Sequence, residues 1–208
     1  MAKRFFETFP ALILEDELKD LFEFAEVTAL KYNRDRTAIH VYLLCRRLIS
    51  KPQIYAVESK IEKQMFPDGD MKIRIFESFS LSEQYTPSYL VDVYKDSLFA
   101  EIKRRSDLDY HILMRADWKV ADDDSLLLTL EDSLWARNRA GELREWIQMV
   151  FYDRCAISIP VAVSFKERDT TAIEEEKKRA EAQAIARIMK ANSVASKDKE
   201  DEFIDTAS

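Results

Sequence analysis

Glycine is nearly missing from this chain: only Gly69 and Gly141 occur in 208 residues, and neither lies in a glycine-rich loop. Dinucleotide-binding turns and P-loops need several glycines so that backbone amides can approach phosphate closely. Both kinds of nucleotide cradle are therefore excluded. Histidine and cysteine are as scarce, with His40, His111, Cys45 and Cys155 the full set. The cysteines lack CxxC spacing and neither has a histidine at a ligand interval, so no zinc site is indicated. A chain of this size needs no covalent staple, and both thiols are expected to be reduced and buried. No run approaches the roughly 18 uninterrupted apolar residues of a membrane-spanning helix, so no membrane contact is expected. The start, Met1-Ala2-Lys3-Arg4-Phe5-Phe6, has no apolar signal run, and the expected location is cytoplasmic. A surplus of positive charge is also missing. The formal net charge of −7 argues against a generally basic, duplex-binding surface, so any nucleic-acid contact must be local.

What is present is an ordinary globular composition, 47% hydrophobic and 34% charged. Leu18, Leu21, Phe22 and Phe24 among acids suit a short amphipathic helix over residues 15–24. Val27, Ala29 and Lys31 then lead through polar Asn33-Arg34-Asp35-Arg36 to the alternation Ile39, Val41, Leu43, which reads as a hairpin. Ser50-Lys51-Pro52-Gln53 combines an N-cap, a first-turn proline and a capping-box glutamine, so a helix begins there and buries Ile54, Val57 and Ile61. Pro67-Asp68-Gly69-Asp70 is turn chemistry before a strand through Met71, Ile73 and Ile75.

The order recurs. Thr86-Pro87 opens a helix striped by Leu90, Tyr94, Leu98 and Ile102 and ending in Lys103-Arg104-Arg105, where the macrodipole favours cations. Trp118 and Val120, the turn Asp122-Asp123-Asp124, and Leu126, Leu128 and Leu130 form a second hairpin. A helix burying Leu143, Trp146, Ile147 and Val150 precedes an Ile/Val-rich strand over residues 156–165. The fold class is α+β: two small α-β-β-α-β modules, each a mainly antiparallel sheet under helices. They span residues 1–82 and 83–168. Residues 169–208 are expected to be a charged helix, opened by Glu174-Glu175-Glu176-Lys177-Lys178-Arg179, followed by a flexible linker.

The search for chemistry finds little. His40 lies opposite the Ile39 and Val41 face and reads as exposed or interfacial, and His111, near a helix end, carries no stronger signal. Asp68 with Asp70, and Asp122-Asp123-Asp124, could in principle hold magnesium. Both sit in turns, where aspartate serves local backbone hydrogen bonds. No catalytic residue, metal ligand or cofactor site is assigned. The best local concentration of cations near aromatics is Lys31, Arg34, Arg36, Arg46 and Arg47, with Tyr32 beside them. These are the candidate nucleic-acid or partner contacts, set against a plain solvating role at a hairpin tip and strand end.

The run Glu15-Asp16-Glu17-Leu18-Lys19-Asp20-Leu21, then Ala25-Glu26-Val27, the hairpin through Arg36-Thr37-Ala38-Ile39-His40-Val41, and the Thr86-Pro87 helix resemble the N-terminal region of PolC-type DNA polymerase III alpha subunits. The likeness continues through Ala116-Asp117-Trp118, Leu128-Thr129-Leu130-Glu131 and Val161-Ala162-Val163-Ser164-Phe165, to about Lys190. The resemblance implies the first and second N-terminal domains of a replicative polymerase, upstream of its OB-fold, exonuclease and polymerase parts. The parent is a nucleotidyltransferase, and none of its catalytic carboxylates has a counterpart here. It further implies that the first module contacts the tau subunit of the clamp loader and that the second is KH-like. The GxxG loop of a KH nucleic-acid clamp is missing.

Three readings follow. The chain is a non-catalytic tethering module in DNA replication, with tau and the rest of the polymerase chain as partners. Alternatively it binds single-stranded DNA weakly and locally. A stand-alone enzyme is the third, with no visible nucleophile, base or phosphate cradle to support it.

Overall fold

The computed structural model describes residues 2–167; the charged helix and linker expected over 169–208 lie outside them. Strand β1 (Lys3–Arg4) and helix α1 (Phe5–Thr8) come first, then α2 (Asp16–Phe22), β2 (Glu26–Tyr32), β3 (Ala38–Cys45), α3 (Lys51–Met65) and β4 (Lys72–Phe79). A second series follows: α4 (Pro87–Arg105), α5 (Asp107–Met114), β5 (Asp117–Val120), β6 (Leu126–Glu131), α6 (Leu134–Cys155) and β7 (Val161–Lys166). The architecture is α+β, with one sheet ordered β1-β2-β3-β4 and another ordered β5-β6-β7.

Each sheet is mixed, where a mainly antiparallel pairing was expected. Hairpins make β2/β3 and β5/β6 antiparallel, whereas the helical crossovers α3 and α6 return the chain so that β3/β4 and β6/β7 run parallel. The last strand also begins later than the Ile/Val content suggests. Helix α6 runs on to Cys155, and Ala156 closes it in the left-handed region at φ 55°. Strand β1 and helices α1 and α5 are too short to announce themselves by periodicity.

Local signals place the helices. Ser50 caps α3 by accepting from the Gln53 amide, while the Gln53 side chain accepts from the Ser50 amide at 3.0 Å. The Thr86, Ser106 and Ser133 side chains cap α4, α5 and α6 by accepting from the Tyr89, Asp109 and Ala136 amides, without the reciprocal bond. One of the orphan amides of α3, that of Lys51, instead donates to the Ser97 hydroxyl of α4 at 3.1 Å, a cap supplied from the second half of the chain.

Buried apolar side chains of both halves form one continuous cluster, with Val41, Ile54, Ile61 and Ile73 joined to Leu90, Leu98, Leu128 and Phe151. Tyr94 sits where they meet, 5.9 Å from the Phe79 ring and 6.3 Å from Phe151. Trp146 is buried as its helical spacing predicts, whereas Trp135 stands in solvent.

Within this apolar junction lies a charged knot. Glu77 occupies a core-facing position of β4, and its side chain is fully enclosed. Lys51 Nζ donates to it at 2.8 Å and the Tyr94 hydroxyl at 3.0 Å, while Arg154 Nε lies 3.4 Å away. Arg154 in turn donates to Glu101 at 2.5 Å and to the Tyr94 oxygen at 3.2 Å. Burial opposes the Arg154 charge, but the carboxylates of Glu77 and Glu101 around it outweigh that penalty and raise its pKa. Burial pushes the Tyr94 hydroxyl far up, so it stays protonated as a donor. Truncating one partner of such a knot strands the opposite charges in a dry site. Glu77→Ala is expected to cost about 3–5 kcal/mol, read as a lower urea midpoint, and to lower it in a single transition reported equally by Trp118, Trp135 and Trp146 fluorescence and by circular dichroism.

Candidate interaction surface

Side-chain alternation divides the four-stranded sheet into two faces. Val41, Leu43, Ile73, Ile75 and Phe79 point into the core. On the opposite face the register sets Lys31 beside His40, His40 beside Arg74, and Tyr42 beside Phe76. The Tyr42 and Phe76 rings stack at 5.2 Å with an interplanar angle of 19°, and His40 meets Phe76 edge-on at 5.1 Å. Lys31 Nζ stands 4.8 Å from the Tyr42 centroid. Phe76 is 46% exposed, and Lys31 and Arg74 are exposed beside it. An aromatic pair on an inner strand and the adjoining edge strand, rimmed by cations and open to solvent, is a surface built for contact.

The five candidate contacts do not form one cluster. Lys31 belongs to this outer face. Arg34 and Arg36 sit in the β2–β3 turn, where Asn33 Oδ1 accepts from the Thr37 and Ala38 amides and Arg36 takes φ 56°. Arg46 and Arg47 follow the other end of β3, so the two arginine pairs are separated by the strand's length of about 20 Å or more. They line a separate hollow with Arg4, Phe24 and Cys45. His40, read as exposed or interfacial, lies on this face; the residues that pattern reading missed are Tyr42, Arg74 and Phe76. Their signal was available, since both strands alternate and their non-core positions carry aromatics and bases.

The first half of the sheet's β4 edge is capped against strand addition. Two of its outward amides are already bonded: Ile73 donates to Glu62 Oε1 and Ile75 to Glu58 Oε1, both at 2.8 Å. Two carboxylates from α3 thus replace a neighbouring strand, which protects the edge against pairing with another chain.

The remaining candidates are accounted for by local structure. Asp123 accepts from the amide and hydroxyl of Ser125, and those bonds hold its carboxyl below the usual range. Gly69 takes φ 72° in the turn flanked by Asp68 and Asp70. His111 is exposed on α5, its Nε2 3.4 Å from Asp107 Oδ2. Burial pushes the Cys45 and Cys155 thiols up to about 12, so neither is a nucleophile in the folded chain. Among the described residues no cluster of His, Cys, Asp or Glu is placed to hold a metal, and no helix is long and apolar enough to cross a membrane.

Burial also holds the Glu58 carboxyl above its usual 4.5, against the opposing pull of the Ile75 amide, Arg74, Lys51 and Arg104. A raised folded-state value means the native state binds the proton more tightly than the unfolded chain. Stability from this group is then full below pH 4.5 and lost as pH rises through the folded value. The difference in urea midpoint between the parent chain and Glu58→Gln should therefore shift against the parent on going from about pH 4.5 to about pH 7.

A comparison with curated proteins finds no match to this chain. Residues 4–75, which run from β1 into β4, match the family model described as DNA polymerase III polC-type N-terminus I.

Proposed function

We propose that the chain is the non-catalytic N-terminal region of a PolC-type DNA polymerase III alpha subunit and acts in the cytoplasm as a tethering module of the replisome, directed to the tau subunit of the clamp loader. In this reading a first module reaches to residue 82, a second, KH-like one to 168, and residues 169–208 serve as a spacer to the rest of the polymerase. The match over residues 4–75 supports the polymerase context. The observation that carries the tethering is the open sheet face, where Tyr42 and Phe76 offer rigid aromatic area and Arg74 and Lys31 offer charge, the residue types that dominate interface energetics. Glu58 and Glu62 disfavour strand addition at the start of β4, which leaves the face beside that edge as its surface for docking.

Titration calorimetry against purified tau tests this. Binding in the micromolar range is expected, weakened at least about tenfold by Phe76→Ala, as for loss of a hot-spot aromatic. No heat at high micromolar concentration, or binding indifferent to Phe76→Ala, would sink the reading.

One observation favours a second partner class for the same face. Lys31 poised over Tyr42, next to the exposed Phe76 ring, is a cation-and-aromatic platform on which unpaired bases stack. Single-stranded DNA binding through this face, with Arg34 and Arg36 at one end and Arg46 and Arg47 at the other, predicts affinity that falls with salt. Charge reversal at Arg34 and Arg36 should abolish it in a fluorescence anisotropy titration; an unchanged isotherm would remove the second reading and leave the first standing.

A further inference from the structure

Around the edge of β4 from the aromatic face, a cleft of about 350 Å³ opens between α3, β4 and the last turn of α4. Lys51, Tyr55 and Glu58 enter it from one face of α3, at a helical spacing of four and then three residues. Arg74 and Phe76 come from β4, Glu101, Arg104 and Arg105 from α4, and Arg154 from α6. The volume lies at the lower end of ligand-sized clefts, about 300–1,000 Å³.

The charges in this cleft do not cancel. Lys51 and Arg154 are satisfied by Glu77 and Glu101 at its floor. That leaves three guanidinium groups, those of Arg74 and Arg104 beside Glu58 and that of Arg105, whose charge also acts on Asp109 of α5. On a chain of net charge −7, such a local excess is conspicuous. The negative end of the α4 dipole accounts for Arg104 and Arg105 being near that terminus. It does not account for Arg74, which converges on the same spot from another element.

Glu58 supplies an independent sign of a missing partner. Its residue is 4% exposed, and Oε1 is taken by the Ile75 amide. Oε2 is buried and has no hydrogen-bond partner among the described residues. Arg74 Nη1 and Arg104 Nη1 lie 3.7 and 3.6 Å from it, close enough to attract but too far to donate. Arg104 is instead laid flat over the Tyr55 ring at 3.5 Å, which holds its fork in place while leaving its edge donors free. A buried acceptor without a donor, next to an Arg104 that makes no hydrogen bond and an Arg74 that donates only to the Ile73 carbonyl at 3.1 Å among the described residues, is a site with both halves of a ligand's complement.

We propose that this cleft binds a phosphomonoester dianion: Arg74, Arg104 and Arg105 hold the phosphate, and Glu58 Oε2 accepts a hydrogen bond from a hydroxyl or amine of the same molecule. Nucleotide chemistry fits, because it joins a dianionic phosphate to nearby donors, and Phe76 at the rim offers a ring beside them. The phosphate can belong to a free nucleotide or to the 5′ end of a DNA strand. No bond is made or broken. The site shares Arg74 and Phe76 with the outer face but takes its remaining residues from α3, α4 and α6, and it does not rest on the tethering reading.

Calorimetry on the full chain with dAMP, deoxyadenosine, inorganic phosphate, and 5′-phosphorylated and 5′-hydroxyl oligonucleotides tests it. Binding of dAMP without binding of deoxyadenosine identifies a free nucleotide, and binding of only the 5′-phosphorylated oligonucleotide identifies a strand end. Either result supports the site. Arg74→Ala and Arg105→Ala should each weaken the phosphate-bearing ligand at least about tenfold, the loss of one charge-assisted contact. Glu58→Gln should weaken dAMP more than inorganic phosphate, and Arg144→Ala on α6 should change nothing. Circular dichroism checks that each variant is folded. Absence of heat with every phosphate-bearing probe at millimolar concentration overturns the proposal, as does binding that survives both arginine substitutions.

Discussion

The junction of the two halves depends on one buried carboxylate. Glu77 stands at a position where alternation calls for an apolar side chain, and it survives there because Lys51, Tyr94 and Arg154 reach it from three different helices. An ion buried this deeply gains little net stability over a well-packed apolar residue, yet it is very costly to leave unpaired. Its consequence is geometric: α3, α4 and α6 must all be in place around β4 for the charge to be met. Tyr94 shows how tightly the knot is drawn, since its single hydroxyl donates to Glu77 and accepts from Arg154.

That arrangement decides which surfaces are left for function. With α3 packed against the inner face and its glutamates capping the β4 amides, the first sheet keeps its outer face as a broad free surface. Tyr42 and Phe76 meet there because parallel pairing of β3 with β4 sets them side by side. A one-residue slip would break the stack and turn Arg74 and Phe76 inward. The same edge carries Arg74 around toward Arg104, so the aromatic face and the arginine cleft are two products of one strand placement. The family-model match over residues 4–75 covers the strands that carry this face as far as Ile75.

Much of the local structure could be read directly. The Ser50-to-Gln53 box, the Thr86-Pro87 start and the leucine alternation over Leu126–Glu131 each encode their element within a few residues, and each element forms where those signals stand. The strand expected over residues 156–165 failed for an equally local reason. Ile157 and Ile159 are apolar, but Ala156 is committed to terminating α6, which holds the chain out of the sheet until Val161. For the interaction surface, Lys31 was found because it neighbours Tyr32 in sequence. Arg74 and Phe76 were passed over because they lie far along the chain from His40 and Tyr42.

By itself the sequence determined the caps, the helical stripes, the hairpin turns and the lack of any glycine-built phosphate loop. These are set by interactions between residues a few positions apart, where hydrogen-bond and steric preferences act without knowledge of the rest of the chain. Tertiary structure alone decided that Glu77 would meet Lys51 and Arg154, that Tyr42 would stack on Phe76, and that Arg74 would join Arg104 beside Glu58. Periodicity tells which face a side chain takes, but not which element packs against that face; the pairing of charges and rings across elements is fixed only when the helices close over the sheet.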